Sequence, residues 1–157
     1  MANVNPIPTG YHTVTPALVV RNGKQALEFY KQAFGANVLG AMYMPDGKLM
    51  HAEIQIGDSR IMLGEESPEM GAVSPQTLGG TPVALNIYTE DCDALFKRAI
   101  GAGATAKMPP ADMFWGDRYG KVGDPFGHGW GILTRKENVS EADMGRRAQE
   151  WMSSMKK

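Results

Sequence analysis

Residues 15–36 read TPALVVRNGKQALEFYKQAFGA, and residues 81–104 read TPVALNIYTEDCDALFKRAIGAGA. Each stretch opens on Thr-Pro, runs through a short apolar segment, breaks at a polar turn and continues with apolar residues at helical spacing. In the first, Thr15 to Val20 reads as a strand ending at Arg21-Asn22, and Ala26, Leu27, Tyr30 and Phe34 share one face of a helix that stops at Gly35-Ala36. In the second, Thr81 to Ile87 is strand-like and ends in Thr89-Glu90-Asp91. Ala94, Leu95, Arg98, Ala99 and Ala102 follow on a helix that stops at Gly103-Ala104. Ala26-Leu27 and Ala94-Leu95 are 68 positions apart, and so are Gly35-Ala36 and Gly103-Ala104.

The repetition extends outward. His51 to Ile56, the turn Gly57-Asp58-Ser59 and Arg60 to Leu63 read as strand, tight turn, strand. Tyr119 to Val122, Gly123-Asp124-Pro125 and Trp130 to Leu133 repeat that order. The pattern predicts an α+β chain of two tandem βαβββ modules, about 10–65 and about 81–135, joined by a Pro/Gly/Ser-containing linker at about 66–80. A repeat of this length, present twice, does not make a solenoid. Two such modules are expected to pair edge to edge as a curved, cleft-enclosing mixed sheet, each module's helix covering one face. A further helix is expected over about 140–156. Ser140 and Asp143 form a capping-box pattern there, Lys156-Lys157 suit the C-terminal end, and Met144, Ala148, Trp151, Met152 and Met155 share a face. That face is expected to bury itself either on its own domain or on a partner subunit.

Bulk properties exclude several classes. A net charge of -1 with no block of like charge gives nothing for nucleic acid or an acidic membrane to recognise. The longest apolar run, Ala17 to Val20, is too short to span a bilayer, and the first twelve residues lack the basic and apolar regions of a signal peptide. The single cysteine, Cys92, excludes an internal disulfide and fits a reducing, cytoplasmic setting. Cys92 itself reads as a loop or helix-start residue, with a catalytic thiol as the alternative.

Strand alternation sorts candidate site residues by face. Ala52, Ile54 and Ile56 suit the face beneath the helix, which puts His51, Glu53 and Gln55 on the other. Val83, Leu85 and Ile87 likewise oppose Ala84, Asn86 and Tyr88, and Pro16, Leu18 and Val20 oppose Thr15, Ala17 and Val19. Such a polar face is either simply wet or, if curved, a ligand site.

The run Ala26 to Ala36 and the turn Asp124-Pro125-Phe126-Gly127-His128 resemble signatures of the vicinal oxygen chelate superfamily, which includes glyoxalase I, bleomycin-resistance proteins and extradiol dioxygenases. Pro45-Asp46-Gly47-Lys48, His51-Ala52-Glu53-Ile54 and Phe114-Trp115-Gly116-Asp117-Arg118 look most like its PhnB-like branch. The resemblance covers about residues 14–134 and implies the fold more strongly than an activity. It also implies metal-ligand positions on the inner strand faces, which fall here on Thr15, Glu53, Ala84 and Gly131. Of these only Glu53 is a good metal ligand, and His51 is the one added donor on its face. A site of three or four protein ligands is therefore not completed. No cofactor is expected, with a divalent metal on Glu53 and His51 as the exception, and the resemblance implies a homodimer.

Without metal, His51 and Glu53 make a candidate acid–base pair, since a neighbouring carboxylate favours the imidazolium. Thr15, Gln55, Asn86, Tyr88, Trp115 and Arg118 are the candidate ligand contacts. Trp115 and Arg118 suit flat or anionic groups, or else lock the hairpin with Asp117-Arg118 as a local ion pair. The 11 methionines, Met42, Met44, Met50, Met62, Met70 and Met113 among them, either fill core or line a permissive pocket. The leading expectation is a metal-independent protein that binds a small molecule. The alternatives are a metal-dependent glyoxalase-type lyase or dioxygenase, and a non-catalytic protein-interaction module.

Overall fold

β1 (Ala17–Val20) is only four residues long, and its partner lies far along the chain: it pairs in parallel with β4 (Ser59–Glu65), Ala17 opposite Met62. The computed structural model describes residues 4–155 and divides the chain into two compact units between Thr81 and Pro82. In the first unit, α1 (Gly23–Phe34), β2 (Asn37–Tyr43), β3 (Leu49–Ile56) and β4 follow β1 in the order the repeat predicts. The sheet order is β1-β4-β3-β2, antiparallel except for the β1–β4 pair. Asn22 starts α1 by accepting the Gln25 N–H, and Gly35 ends it in the left-handed region at φ 68°. The helix lays Ala26, Leu27, Phe29, Tyr30, Ala33 and Phe34 on the sheet, where Leu18, Val20, Ala52, Ile54, Ile61 and Leu63 are also buried. Each large side chain among them contributes about 1.5–3 kcal/mol by leaving water.

The second unit repeats the construction. β5 (Ala84–Tyr88), α3 (Cys92–Gly101), β6 (Thr105–Asp112), β7 (Asp117–Gly123) and β8 (Gly129–Arg135) form the sheet β5-β8-β7-β6, with β5 parallel to β8. Asp91 caps α3 as Asn22 caps α1. Cys92 is buried at the start of α3, and its thiol donates to the Ile132 carbonyl at 3.1 Å. Burial pushes the Cys92 thiol pKa up, the opposite of what a nucleophilic thiol needs. The turn between β7 and β8 is built on Asp124, which is 7% exposed. Its carboxylate accepts the backbone N–H groups of Phe126 and His128 and the indole N–H of Trp130, each at 2.9 Å. This is why Asp-Pro-Phe-Gly-His-Gly-Trp occurs as a block: one carboxylate satisfies three donors around a buried Trp.

One expectation needs correcting. Val83 is 63% exposed rather than on the buried face, because β5 begins one residue later, at Ala84. The strand β6 carries Pro109 and Pro110, which cannot donate ladder hydrogen bonds, and it forms all the same because it lies at the sheet edge. Methionines 42, 44, 50 and 70 are exposed rather than core filler.

The segment between the strands of the two units is also ordered. It holds a 3-10 turn (Pro68–Met70) and the one-turn helix α2 (Pro75–Leu78). Glu66 organises it, accepting the Ser74 N–H at 3.1 Å, the hydroxyls of Ser74 and Thr77 at 2.7 Å, and Arg21 Nε at 3.1 Å. Near the other end, α4 (Glu141–Ser154) begins at Ser140, whose hydroxyl accepts the Asp143 N–H. Met144 and Ala148 are half-buried, the Trp151 ring packs 5.4 Å from Phe114, and Arg147 pairs with Glu137, so the helix contacts its own unit. Trp151, Met152 and Met155 keep substantial exposure, and Lys156-Lys157 lie outside the described residues. No helix among the described residues is long and apolar enough to cross a membrane.

The donors around Glu66 lower its pKa from 4.5 to about 2, the Ser74 hydroxyl contributing most. Because the folded-state pKa lies below the unfolded one, the stabilisation is complete above about pH 4.5 and fades as pH falls toward 2. Glu66→Gln is therefore expected to lower the urea midpoint at pH 7, with the gap to the wild type closing between pH 4.5 and pH 2.

Candidate functional site

In the first unit, alternation along β3 turns Ala52, Ile54 and Ile56 toward α1 and leaves His51, Glu53 and Gln55 on the open face. Cross-strand pairing places Met42 and Gly40 beside His51 and Glu53 on one side, and Met62 and Arg60 beside Glu53 and Gln55 on the other. Over this face the residues before β1 form a strap. Pro6, Ile7, Pro8, Tyr11, His12 and Thr13 from the strap, with Thr15, Glu53 and Met62, line an open cavity of about 600 Å³. That size is usual for a small-molecule site.

The floor of the cavity is charged. The Tyr11 hydroxyl is near enough to the Glu53 carboxylate to lower its pKa, His51 Nε2 lies 3.6 Å from Glu53 Oε1, and the Arg60 guanidinium lies over the Tyr11 ring at 4.7 Å. The Tyr11 hydrogen bond, followed by the His51 and Arg60 contributions, holds Glu53 below its ordinary pKa despite some desolvation. The same bond pushes the Tyr11 phenol up. Glu53 is thus an anion at neutral pH, aimed at a cavity whose upper wall is Pro6, Ile7 and Pro8.

The expected site residues divide accordingly. Thr15 and Glu53 both line the cavity and His51 flanks Glu53, although the Thr15 hydroxyl also donates to the His12 carbonyl. The Gln55 amide is engaged with the Gly57 carbonyl. In the second unit, Tyr88 and Trp115 converge on Asp117, their O–H and indole N–H both donating to Asp117 Oδ2 at 3.0 and 3.2 Å. Arg118, the next residue on β7, faces the other way and is taken up by Asp93 on α3 and by Asp112. The expected Asp117–Arg118 local pair is therefore replaced by two separate sets of contacts on opposite faces. Tyr11 and Arg60 were not among the expected site residues, and Asp117 was expected only as a partner for Arg118. Tyr11 sits in a segment with no periodicity, while Arg60 could have been placed from its alternation with Ile61 and Met62.

The metal positions implied by the resemblance do not fit a divalent ion. They hold one hydroxyl, one carboxylate and two residues without a donor. Among the described residues no three His, Cys, Asp or Glu side chains gather. At Gly131 a side chain has no room, because the Asn86 side chain and the Tyr119 ring occupy the space a Cβ would enter. Asn86 is cross-strand to Gly131, so a neighbour fills the fourth ligand position.

Comparison with known proteins agrees with the architecture. Residues 11–132 match the sequence profile described as the Glyoxalase/Bleomycin resistance protein/Dioxygenase superfamily. The uncharacterized protein Mb0911c of Mycobacterium bovis is 43% identical over 141 residues, covering 87% of this chain and 93% of the relative. Among solved structures, the Arabidopsis thaliana gene product At5g48480 superposes with a TM-score of 0.64 at 26% identity, covering 78% of this chain and 98% of that one. A PhnB protein from Bacillus cereus shares the fold with a TM-score of 0.63 at 16% identity, over 78% of this chain and 99% of that one.

Asp117 is 5% exposed, so removing its carboxylate strands two donors at once. Asp117→Ala is expected to lower unfolding stability by about 2 kcal/mol, the scale for donors left without their partner. The Asp117 hydrogen bond is also the main cause of the raised Tyr88 pKa, so the variant's Tyr88 titration, followed by NMR, should move down. An unmoved titration would show that the bond does not hold in solution.

Proposed function

The chain belongs to the glyoxalase/bleomycin resistance protein/dioxygenase superfamily, and from that premise we propose that it binds a small organic molecule in the first unit's cavity without a metal ion. The observation that carries this reading is the ionised Glu53 on the cavity floor, flanked by Tyr11 and His51 and faced by an apolar wall. A ligand with an apolar body and a hydrogen-bond donor complements that arrangement, the body against Pro6, Ile7, Pro8 and Met62 and the donor on Glu53.

Binding fits the electrostatics better than acid–base catalysis by His51 and Glu53. A general acid or base works best when its pKa lies near the operating pH, and the contacts around Glu53 move it further away. A fixed anion is instead a good acceptor, and hydrogen bonds to charged groups are worth about 1.5–3 kcal/mol. The metal-dependent lyase or dioxygenase reading has no comparable support, given the incomplete ligand set. The interaction-module reading leaves the cavity unexplained.

Fragments that bind the wild type, found by NMR, are expected to lose about tenfold or more in affinity with Glu53→Gln, in line with the loss of one charge-assisted hydrogen bond. Calorimetry of metal-free protein with Zn²⁺, Ni²⁺, Mn²⁺ and Fe²⁺ is expected to show no tight stoichiometric uptake. Fragment binding indifferent to Glu53→Gln, or tight uptake of one metal per chain, contradicts the proposal.

A further inference from the structure

The strap over the first unit's cavity is fastened at one place. Gly10, at φ +85°, presses so closely on Arg60 that a Cβ would stand 2.7 Å from Nη2, and the conformation itself disfavours any other residue. Tyr11 follows with its ring against the same guanidinium and its hydroxyl toward Glu53, whose pKa it lowers. His12 adds an outer contact, Nε2 lying 3.3 Å from the Asp58 carbonyl. Residues 6–13 belong to no helix or strand, so this fastening stands in for secondary structure.

The fit is also incomplete. Arg60 Nε is buried with no hydrogen-bond partner among the described residues. A buried donor without an acceptor is a standing cost, and in native proteins it calls for an explanation. An aromatic ring can cover a guanidinium face, but it offers no in-plane acceptor to Nε. The seat made by Arg60 and Glu53 is therefore occupied by a side chain that satisfies the carboxylate and leaves the guanidinium partly unsatisfied.

We propose that Tyr11 is a displaceable internal occupant of the Arg60–Glu53 seat and sets its specificity: the ligand admitted is a planar molecule carrying an O–H or N–H donor. Such a molecule replaces both things Tyr11 supplies, a flat face for the guanidinium and a donor for the carboxylate. A ligand lacking either would exchange a satisfied group for an unsatisfied one, and the strap would stay closed against it. This inference rests on the reading of the cavity as the ligand site and names the chemistry of what enters it.

The test uses 4-methylphenol, the Tyr11 side chain as a free molecule, titrated by NMR and calorimetry into the full chain. Tyr11→Gly is expected to bind one equivalent at least tenfold more tightly than the wild type, and adding Glu53→Gln or Arg60→Leu to that variant should each weaken binding at least tenfold. Gly10→Ala keeps every side chain of the seat but strains the strap at φ +85°, so it too should bind 4-methylphenol more tightly than the wild type. If Tyr11→Gly does not fold, as judged by thermal unfolding, Gly10→Ala carries the same test. Equal affinities for variant and wild type overturn the inference, as does a Tyr11→Gly chain whose binding ignores Glu53 and Arg60. Should Tyr11→Gly fail to bind 4-methylphenol while wild-type fragment binding still depends on Glu53, the displaceable-occupant inference falls and the cavity keeps its role. Fragment binding that never depends on Glu53 removes the cavity reading itself.

Discussion

Each four-stranded sheet has one helix packed on it, α1 on the first and α3 on the second, and a helix can cover only one face. Everything about the candidate site follows from that limit. Side chains alternate along a strand, so the apolar set Ala52, Ile54 and Ile56 is drawn under α1 and the intervening set His51, Glu53 and Gln55 has nowhere to go but the other face. A one-residue slip would bury a carboxylate and expose the core, which fixes the register strongly. The same rule in the second unit sends Arg118 toward α3, where Asp93 meets it, and Asp117 to the opposite face with Tyr88 and Trp115.

A polar sheet face becomes a chemical site only when something closes over it. In the first unit the strap partly does this, and Glu53 lies beside the Tyr11 phenol in an open cavity rather than on a bare sheet face. His51, only 3.6 Å away, remains more than a third exposed and contributes modestly, as partly exposed ion pairs do. In the proposed reading the arrangement serves recognition by a fixed acceptor rather than proton shuttling. In the second unit, the space at Gly131 is filled by the Asn86 side chain and the Tyr119 ring.

Much of the fold was legible because the chain writes it twice. The helix caps at Asn22 and Asp91, the alternation in β3 and the Asp124 turn are local signals, each enforced by bonds within a few residues. The repeat requires the edge strand β6, but Pro109 and Pro110, which lack N–H groups, obscured its bounds. The site was legible only in half. Glu53, His51 and Thr15 declare themselves through periodicity, whereas Tyr11 acts through a glycine that approaches a side chain fifty residues away. A contact of that kind leaves no pattern in sequence. Arg118 misled for a related reason: its adjacency to Asp117 suggested a pair that strand alternation forbids.

The facing of β3 can be measured directly, because the native Cys92 is buried and gives a silent background to thiol reagents. Gln55→Cys and Ile54→Cys place a thiol on neighbouring residues that point to opposite faces. Native-state labelling should be rapid at position 55 and limited by unfolding at position 54. Equal rates, or faster labelling at position 54, would mean that the face bearing Glu53 is not the open one.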